Sequence, residues 1–238
     1  MQDKEFKEYL ERKALVDELD KVDRDRAAAY AHDLIRGLKT IRTFPQGVTI
    51  FGSARLPETD KYYKRARKLG QMLAQHGHTV ITGGGPSMME AANRGAFEYG
   101  GRSIGLNITL EHEQHPNPYL TDFLEFEYFF ARKVMLALSG KVYVFFPGGF
   151  GTLDEFSEVI LLIQEGKTPR MPVFLFGSKF WTPITKALIR NMLPHGLIDK
   201  KDTEIFKITD SQEEIVAAAD KIGHPMVSEN YYDKYHKI

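Results

Sequence analysis

From Pro45 onward, short runs of consecutive apolar residues alternate with longer segments whose apolar positions recur at helical spacing. The runs Val48-Thr49-Ile50-Phe51-Gly52-Ser53, His78-Thr79-Val80-Ile81-Thr82, Ser103-Ile104-Gly105-Leu106-Asn107, Leu124-Glu125-Phe126, Val142-Tyr143-Val144-Phe145-Phe146 and Val173-Phe174-Leu175-Phe176 predict strands. Helices are expected over 58–76, after Pro86 through about Tyr99, from Phe129 to Ser139, after Gly149 to about Gln164, near 180–192 and over 211–222. Glu111 to Tyr119 holds Pro116 and Pro118 and reads as a loop. Strands that are apolar without alternation are covered on both faces, and strands that alternate with helices pair in parallel. The pattern predicts an α/β, Rossmann-like, doubly wound parallel sheet with helices on both faces.

The first 44 residues differ. Phe6, Leu10, Leu15, Leu19, Val22, Ala29, Leu34, Leu38 and Ile41 recur at near-helical spacing among many charges, as in one or two amphipathic helices. Such helices pack on the domain's own surface or on a second subunit. Acids and bases are interleaved there, which argues against a nucleic-acid arm. The expected organisation is a helical extension over 1–44, a Rossmann-like domain over 45–224 and a surface tail over 225–238.

Composition narrows the chemistry. Thirty-two Lys+Arg balance thirty-two Asp+Glu in 238 residues, so no net field favours nucleic acid or an anionic membrane. The absence of cysteine excludes disulfides, thiolate metal sites and a cysteine nucleophile. The N-terminus lacks the basic-then-apolar pattern of a signal peptide, and no apolar run approaches the ~18 residues that span a bilayer. A cytoplasmic protein is expected.

In doubly wound sheets ligands bind beyond the carboxyl ends of the strands. Glycine-rich turns fall there at 52–53, 83–85 and 147–151. Gly83-Gly84-Gly85-Pro86 opens a helix and suits either a phosphate or a simple tight turn. Met88 breaks a GxGxxG pattern, and no Gly-Lys-Ser/Thr follows, so neither a nicotinamide dinucleotide nor ATP is favoured. Gly148, Gly149 and Gly151 leave amides uncovered at the next helix start, and Thr152 adds a hydroxyl, making a second anion cradle. Glu155 lies one helical turn further on. It is suited to ribose hydroxyls, to activating water or to a developing cation; its plainer reading is an acid favoured by the helix dipole. Arg132-Lys133 lies 23 residues before Glu155 on the preceding helix, where Arg132 reaches the same rim or, as such residues often do, faces solvent.

The run Pro147-Gly148-Gly149-Phe150-Gly151-Thr152-Leu153-Asp154-Glu155 matches in full the PGGxGTxxE motif of the Lonely Guy proteins, to which this chain is similar over roughly 45–195. These are phosphoribohydrolases that release cytokinin bases from nucleoside 5′-monophosphates, and members often carry the label "lysine decarboxylase". Arg132-Lys133 fits the family's Arg-Lys motif. Gly83-Gly84-Gly85-Pro86 followed by Met89-Glu90-Ala91-Ala92-Asn93-Arg94-Gly95-Ala96 resembles its glycine turn and helix, and Gly52-Ser53-Ala54-Arg55 its first turn. Ser87 stands where the family often has glycine, a costly choice if that position needs positive φ. Phe129-Phe130-Ala131 replaces the Met-His-x of plant-like members and resembles the bacterial branch.

The resemblance implies hydrolysis of AMP or an N6-prenylated AMP to base and ribose 5-phosphate, with Glu155 and Arg132 catalytic. Gly83, Gly84, Gly85, Gly148, Gly149, Gly151, Thr152 and Ser53 would hold phosphate and ribose, and Lys133, Met89, Glu90 and Arg55 are further candidates. It implies homo-oligomers, dimers or larger, acting on a small nucleotide with no cofactor and no metal. His112-Glu113-Gln114-His115 is one residue too short for HExxH. The alternative on the same fold is a non-catalytic carrier of a phosphorylated cofactor such as the molybdenum cofactor, which does not need the Arg132/Glu155 pair.

Overall fold

The structure, a computed structural model, describes residues 20–109 and 115–224. In chain order the elements are α1 (Lys21–Ile41), β1 (Gly47–Phe51), α2 (Lys61–Gln75), β2 (Val80–Thr82), α3 (Met88–Glu98), β3 (Ser103–Ile108), β4 (Asp122–Phe126), α4 (Phe129–Ser139), β5 (Gly140–Phe145), α5 (Phe150–Gln164), β6 (Val173–Phe176), α6 (Ser178–Met192), β7 (Phe206–Thr209) and α7 (Gln212–Ile222). Two short 3-10 turns, Leu193–His195 and Lys200–Glu204, separate α6 from β7.

All pairings are parallel, in the order β4-β3-β2-β1-β5-β6-β7. The chain winds outward from β1 to β4, returns to lay β5 against the other side of β1, and winds outward again. The β1/β5 junction is thus the switch point, where a crevice opens beyond the strand ends. Alternate residues along β5 feed two cores. Val142, Val144 and Phe146 join Val48, Ile50, Leu69, Leu73 and Ile215 on one face. Tyr143 and Phe145 join Phe51, Met135, Leu136, Phe156 and Trp181 on the other. Trp181 is core, its indole N–H donating to the Phe145 carbonyl at 2.9 Å.

The predicted strands and helices are present, with ends shifted by a few residues. β7 is an addition to the expected set. Its sequence, Phe206-Lys207-Ile208-Thr209, is a half-buried edge strand with a lysine, so it lacks the continuous apolar signature of the central strands. The residues Phe6, Leu10, Leu15 and Leu19, the tail 225–238 and His112-Glu113-Gln114 lie outside the described residues.

Helix α1 shares the second core through Ile41, Leu34 and Leu38. Its Asp33 is 2% exposed. One carboxylate oxygen accepts the N–H groups of Glu127 (2.8 Å) and Tyr128 (3.1 Å), and the other meets Arg36 at 3.1 Å. Tyr128, the residue capping α4, makes no side-chain cap of its own. Asp33 supplies the missing acceptor and a negative charge at the positive end of α4, from a helix far away in sequence.

At the opposite end of the sheet, Lys141 is fully buried. Its ammonium donates to His78 Nδ1 (2.9 Å), to the Ala219 carbonyl (3.4 Å) and to the Gly223 carbonyl. His78 therefore accepts at Nδ1 and carries its proton on Nε2, directed at Asp220 (2.7 Å). Burial lowers the Lys141 pKa to about 8, with Asp220 opposing that shift.

Asp33→Ala removes the α4 cap and leaves two backbone N–H groups unmet. The expected loss is roughly 1–3 kcal/mol, read as a lower urea midpoint at unchanged slope.

Candidate active site

Beyond the ends of β1 and β5 lies a cavity of about 470 Å³. Three backbone hydrogen bonds weld its floor. The Ser53 N–H donates to the Pro147 carbonyl (3.0 Å), the Phe146 N–H to Phe51 (2.9 Å) and the Met88 N–H to Ser53 (3.1 Å). The turns after β1 and β5 and the start of α3 are thereby held as one body. Gly52, Ser53, Ala54 and Arg55 form one wall; Gly149, Phe150, Gly151, Thr152 and Glu155 form the facing wall. Arg132 and Phe129 from α4, Met89 from α3 and Ile108 from β3 complete it.

The N-terminus of α5 carries no side-chain cap. Its first intrahelical bond runs from the Leu153 N–H to the Gly149 carbonyl at 3.1 Å, which leaves the N–H groups ahead of it without helical acceptors. A Cβ built on Gly149 or Gly151 meets nothing within 4 Å. Gly151 sits inside α5, where alanine fits and is better by about 1 kcal/mol. Among the described residues no packing demands these glycines, and the bare amides they leave are open to an anion. Gly148 is different. Its Cβ would fall 2.2 Å from Thr152 Oγ1, so it makes room for the buried Thr152.

Arg132 is 7% exposed, and its Nε donates to the Leu106 carbonyl at 2.8 Å. The guanidinium occupies the space that a Cβ on Gly83 would need, 1.9 Å from Nη2. Burial pulls its pKa down, opposed by the charge of Glu155. Half-buried Glu155 lines the same cavity without an ion pair to Arg132 within 4 Å. Its pKa is raised to about 7, mainly by burial, with Arg132 opposing and Asp154 adding. The site thus pairs a permanent cation with a carboxylate that exchanges its proton near neutrality.

The structure brings Glu155, Arg132, Ser53, Arg55, Met89, Gly149, Gly151 and Thr152 to one cavity. It does not bring Gly83, Gly84, Gly85, Gly148, Lys133 or Glu90 to its wall. The 83–85 turn is buried beneath Arg132 and bound from below by Asn117, which donates from its backbone to the Gly84 carbonyl (2.8 Å) and from Nδ2 to the Gly84 and Gly85 carbonyls (both 3.0 Å). Lys133 bolts α4 to α5 through Asp154 (2.9 Å) and Glu158 (3.0 Å). Glu90 accepts from the Tyr63 hydroxyl at 2.8 Å. Ser87 has φ +63°, the one non-glycine residue with positive φ among the described residues. The strain, about 1–3 kcal/mol, is partly offset by its hydroxyl donating to the Leu56 carbonyl at 2.8 Å. Sequence reasoning missed Asn117, Ile108 and the cavity-lining role of Phe129 and Phe150. The last two carried a signal, a large apolar residue at the start of a helix beside a glycine turn or strand end.

Gly151→Ala is expected to stabilise the protein by up to about 1 kcal/mol while weakening its hold on a phosphate-bearing ligand. Gly83→Ala, which must displace Arg132, is expected to destabilise it by about 1–3 kcal/mol. Urea titration with and without AMP checks both. Glu155 has a folded pKa above its ordinary 4.5, so its contribution to stability is complete below pH 4.5 and is lost as the pH rises through 7. Glu155→Gln should therefore gain thermal stability over the parent as pH increases across that window. Parallel curves would contradict the burial of this carboxylate.

A cytokinin riboside 5′-monophosphate phosphoribohydrolase of Rhodococcoides fascians is 26% identical over 60% of this chain and 74% of its own. A pyrimidine/purine nucleotide 5′-monophosphate nucleosidase of Escherichia coli is 27% identical over 79% of this chain, which spans under half (43%) of that protein. In fold, a molybdenum cofactor carrier protein of Chlamydomonas reinhardtii superposes with a TM-score of 0.56 at 21% identity, covering 75% of this chain and 98% of its own. The family model described as "possible lysine decarboxylase" matches residues 89–219, more than half of the sequence, and the chain belongs to that family, which includes the Lonely Guy phosphoribohydrolases.

Proposed function

We propose that this protein hydrolyses the N-glycosidic bond of a nucleoside 5′-monophosphate, AMP or an N6-prenylated AMP, to free base and ribose 5-phosphate. One observation carries the reading: an uncapped helix N-terminus, a buried guanidinium and a carboxylate of raised pKa share a single cavity. The names of the relatives point the same way.

The 5′-phosphate binds the free N–H groups at the start of α5. The Ser53 oxygen already accepts the Arg55 N–H at 3.0 Å, so its hydroxyl proton is available to the phosphate. This remote grip positions the sugar against Glu155, one helical turn further along α5. As the bond from the anomeric carbon to the base nitrogen lengthens, positive charge grows on the sugar ring. The Glu155 carboxylate stabilises that charge and takes a proton from the attacking water as the new C–O bond forms. The base leaves with the electron pair of the broken bond and takes a proton from solvent. Arg132 holds the nucleotide, and its charge favours the ionised form of Glu155 against the effect of burial. In this reading the protein works as a homo-oligomer, as its family resemblance implies.

The test is product chromatography after separate incubation with AMP, GMP, CMP, a prenylated AMP and adenosine, beside Glu155→Gln. Free base is expected from monophosphates and not from adenosine, with at least a hundredfold loss in the variant. The rate should rise with pH through about 7, because the carboxylate form is the active one. Undiminished turnover by Glu155→Gln would remove the carboxylate from the mechanism. No base from any monophosphate, with the fold intact, would overturn the hydrolase reading in favour of a carrier of a phosphorylated cofactor.

A further inference from the structure

The cavity wall divides by chemistry. Among the described residues Ser53, Arg55, Arg132, Thr152 and Glu155 supply the polar side chains, and these suit a phosphate and a sugar. Met89, Ile108, Phe129 and Phe150 make the remaining part apolar. Phe150 is 91% exposed and Phe129 55% exposed, so both rings leave most of their area in water. Neither ring packs on another among the described residues. Their neighbour Phe130, in contrast, meets Tyr30 edge-on at 5.1 Å and Tyr128 at 6.0 Å. Phe129 and Phe150 are also the first residues of α4 and α5. The backbone under one is clamped by Asp33, and that under the other by β5 and the Ser53–Pro147 bond.

We propose that Phe129 and Phe150 form an aromatic clamp for the base, recognising it by its π-face rather than by its hydrogen-bonding edge. The proposal rests on the nucleotide reading above and names what that reading leaves open, the basis of base selection. Among the described residues the wall holds no asparagine or glutamine able to pair with an adenine edge. Every base presents a π-face, so a clamp of this kind is tolerant of base identity. It favours the larger purines over pyrimidines and accepts an apolar substituent on the exocyclic nitrogen. The two rings are exposed because their partner is the ligand.

The test measures binding by calorimetry in the Glu155→Gln protein, using AMP, CMP and ribose 5-phosphate. AMP should bind more tightly than CMP, and CMP more tightly than ribose 5-phosphate. Phe129→Ala or Phe150→Ala should each weaken AMP about tenfold and leave ribose 5-phosphate unchanged. Phe150→Tyr should keep the AMP affinity, and Phe150→Leu should lose it, which separates an aromatic role from an apolar one. Phe97→Ala, another exposed ring (43%) away from the cavity, should move neither ligand. Equal losses for AMP and ribose 5-phosphate, or no loss for either, would overturn the clamp. So would a lower mass by light scattering in Phe150→Ala with AMP affinity intact, which would make the ring a contact with a second copy. If the parent protein releases no base but the binding pattern holds, the hydrolase reading falls and the clamp stands. If base is released and the pattern is absent, the clamp alone falls.

Discussion

A guanidinium taken out of water must be met by acceptors and opposing charge, and the placement of Arg132 organises the candidate site around that requirement. Its Nε is met by the Leu106 carbonyl, its charge by the field of Glu155, and its bulk by the missing side chain of Gly83. The buried lysine at the other end of the sheet solves the same problem differently. Lys141 spends its three protons on three protein acceptors and is complete without a ligand. Arg132 has one hydrogen-bonded nitrogen and a cavity in front of it. On the proposed reading, the contrast separates a cation that holds the fold from one that meets the anionic ligand.

The sheet order explains why these groups meet. Only at the β1/β5 junction do neighbouring strands belong to opposite windings, so the turns that leave them diverge and a crevice opens. The backbone bonds through Ser53 stop those turns from drifting apart. On the far side α1 determines where α4 begins through Asp33, and α4 presents Phe129 and Arg132 three residues apart, on one helical face. A helix that the sequence marks as an extension therefore helps to set where α4 begins, through the Asp33 carboxylate and through the packing of Tyr30 and Ile41.

Strain and openness are distributed unevenly around the cavity. Ser87 holds a positive φ beside the start of α3, tied down by the Leu56 carbonyl. Gly151 forgoes helix stability that alanine would supply, with empty space where a side chain would sit. Phe150 leaves its ring in water. Each departs from what stability alone would select, and all three lie at the carboxyl end of the sheet. Local rules fail most often where a ligand is meant to bind.

The sequence by itself determined the class of fold, because central parallel strands buried on both faces must be written as unbroken apolar runs, and their turns must be glycine-rich. It also placed the candidate groups at the start of α5 together, since the glycines, Thr152 and Glu155 lie within about two helical turns of each other and local geometry alone sets their relation. It said nothing reliable about β7, whose half-buried edge pairs through backbone groups that carry no side-chain signature. Three things only the tertiary structure decided. Gly83–Gly85 underlie Arg132 instead of lining the cavity, Lys133 turns away to Asp154 and Glu158, and Asn117 braces the glycine turn from more than thirty residues away. These depend on which element packs over which, and in a close-packed interior that is settled by contacts between residues remote in sequence.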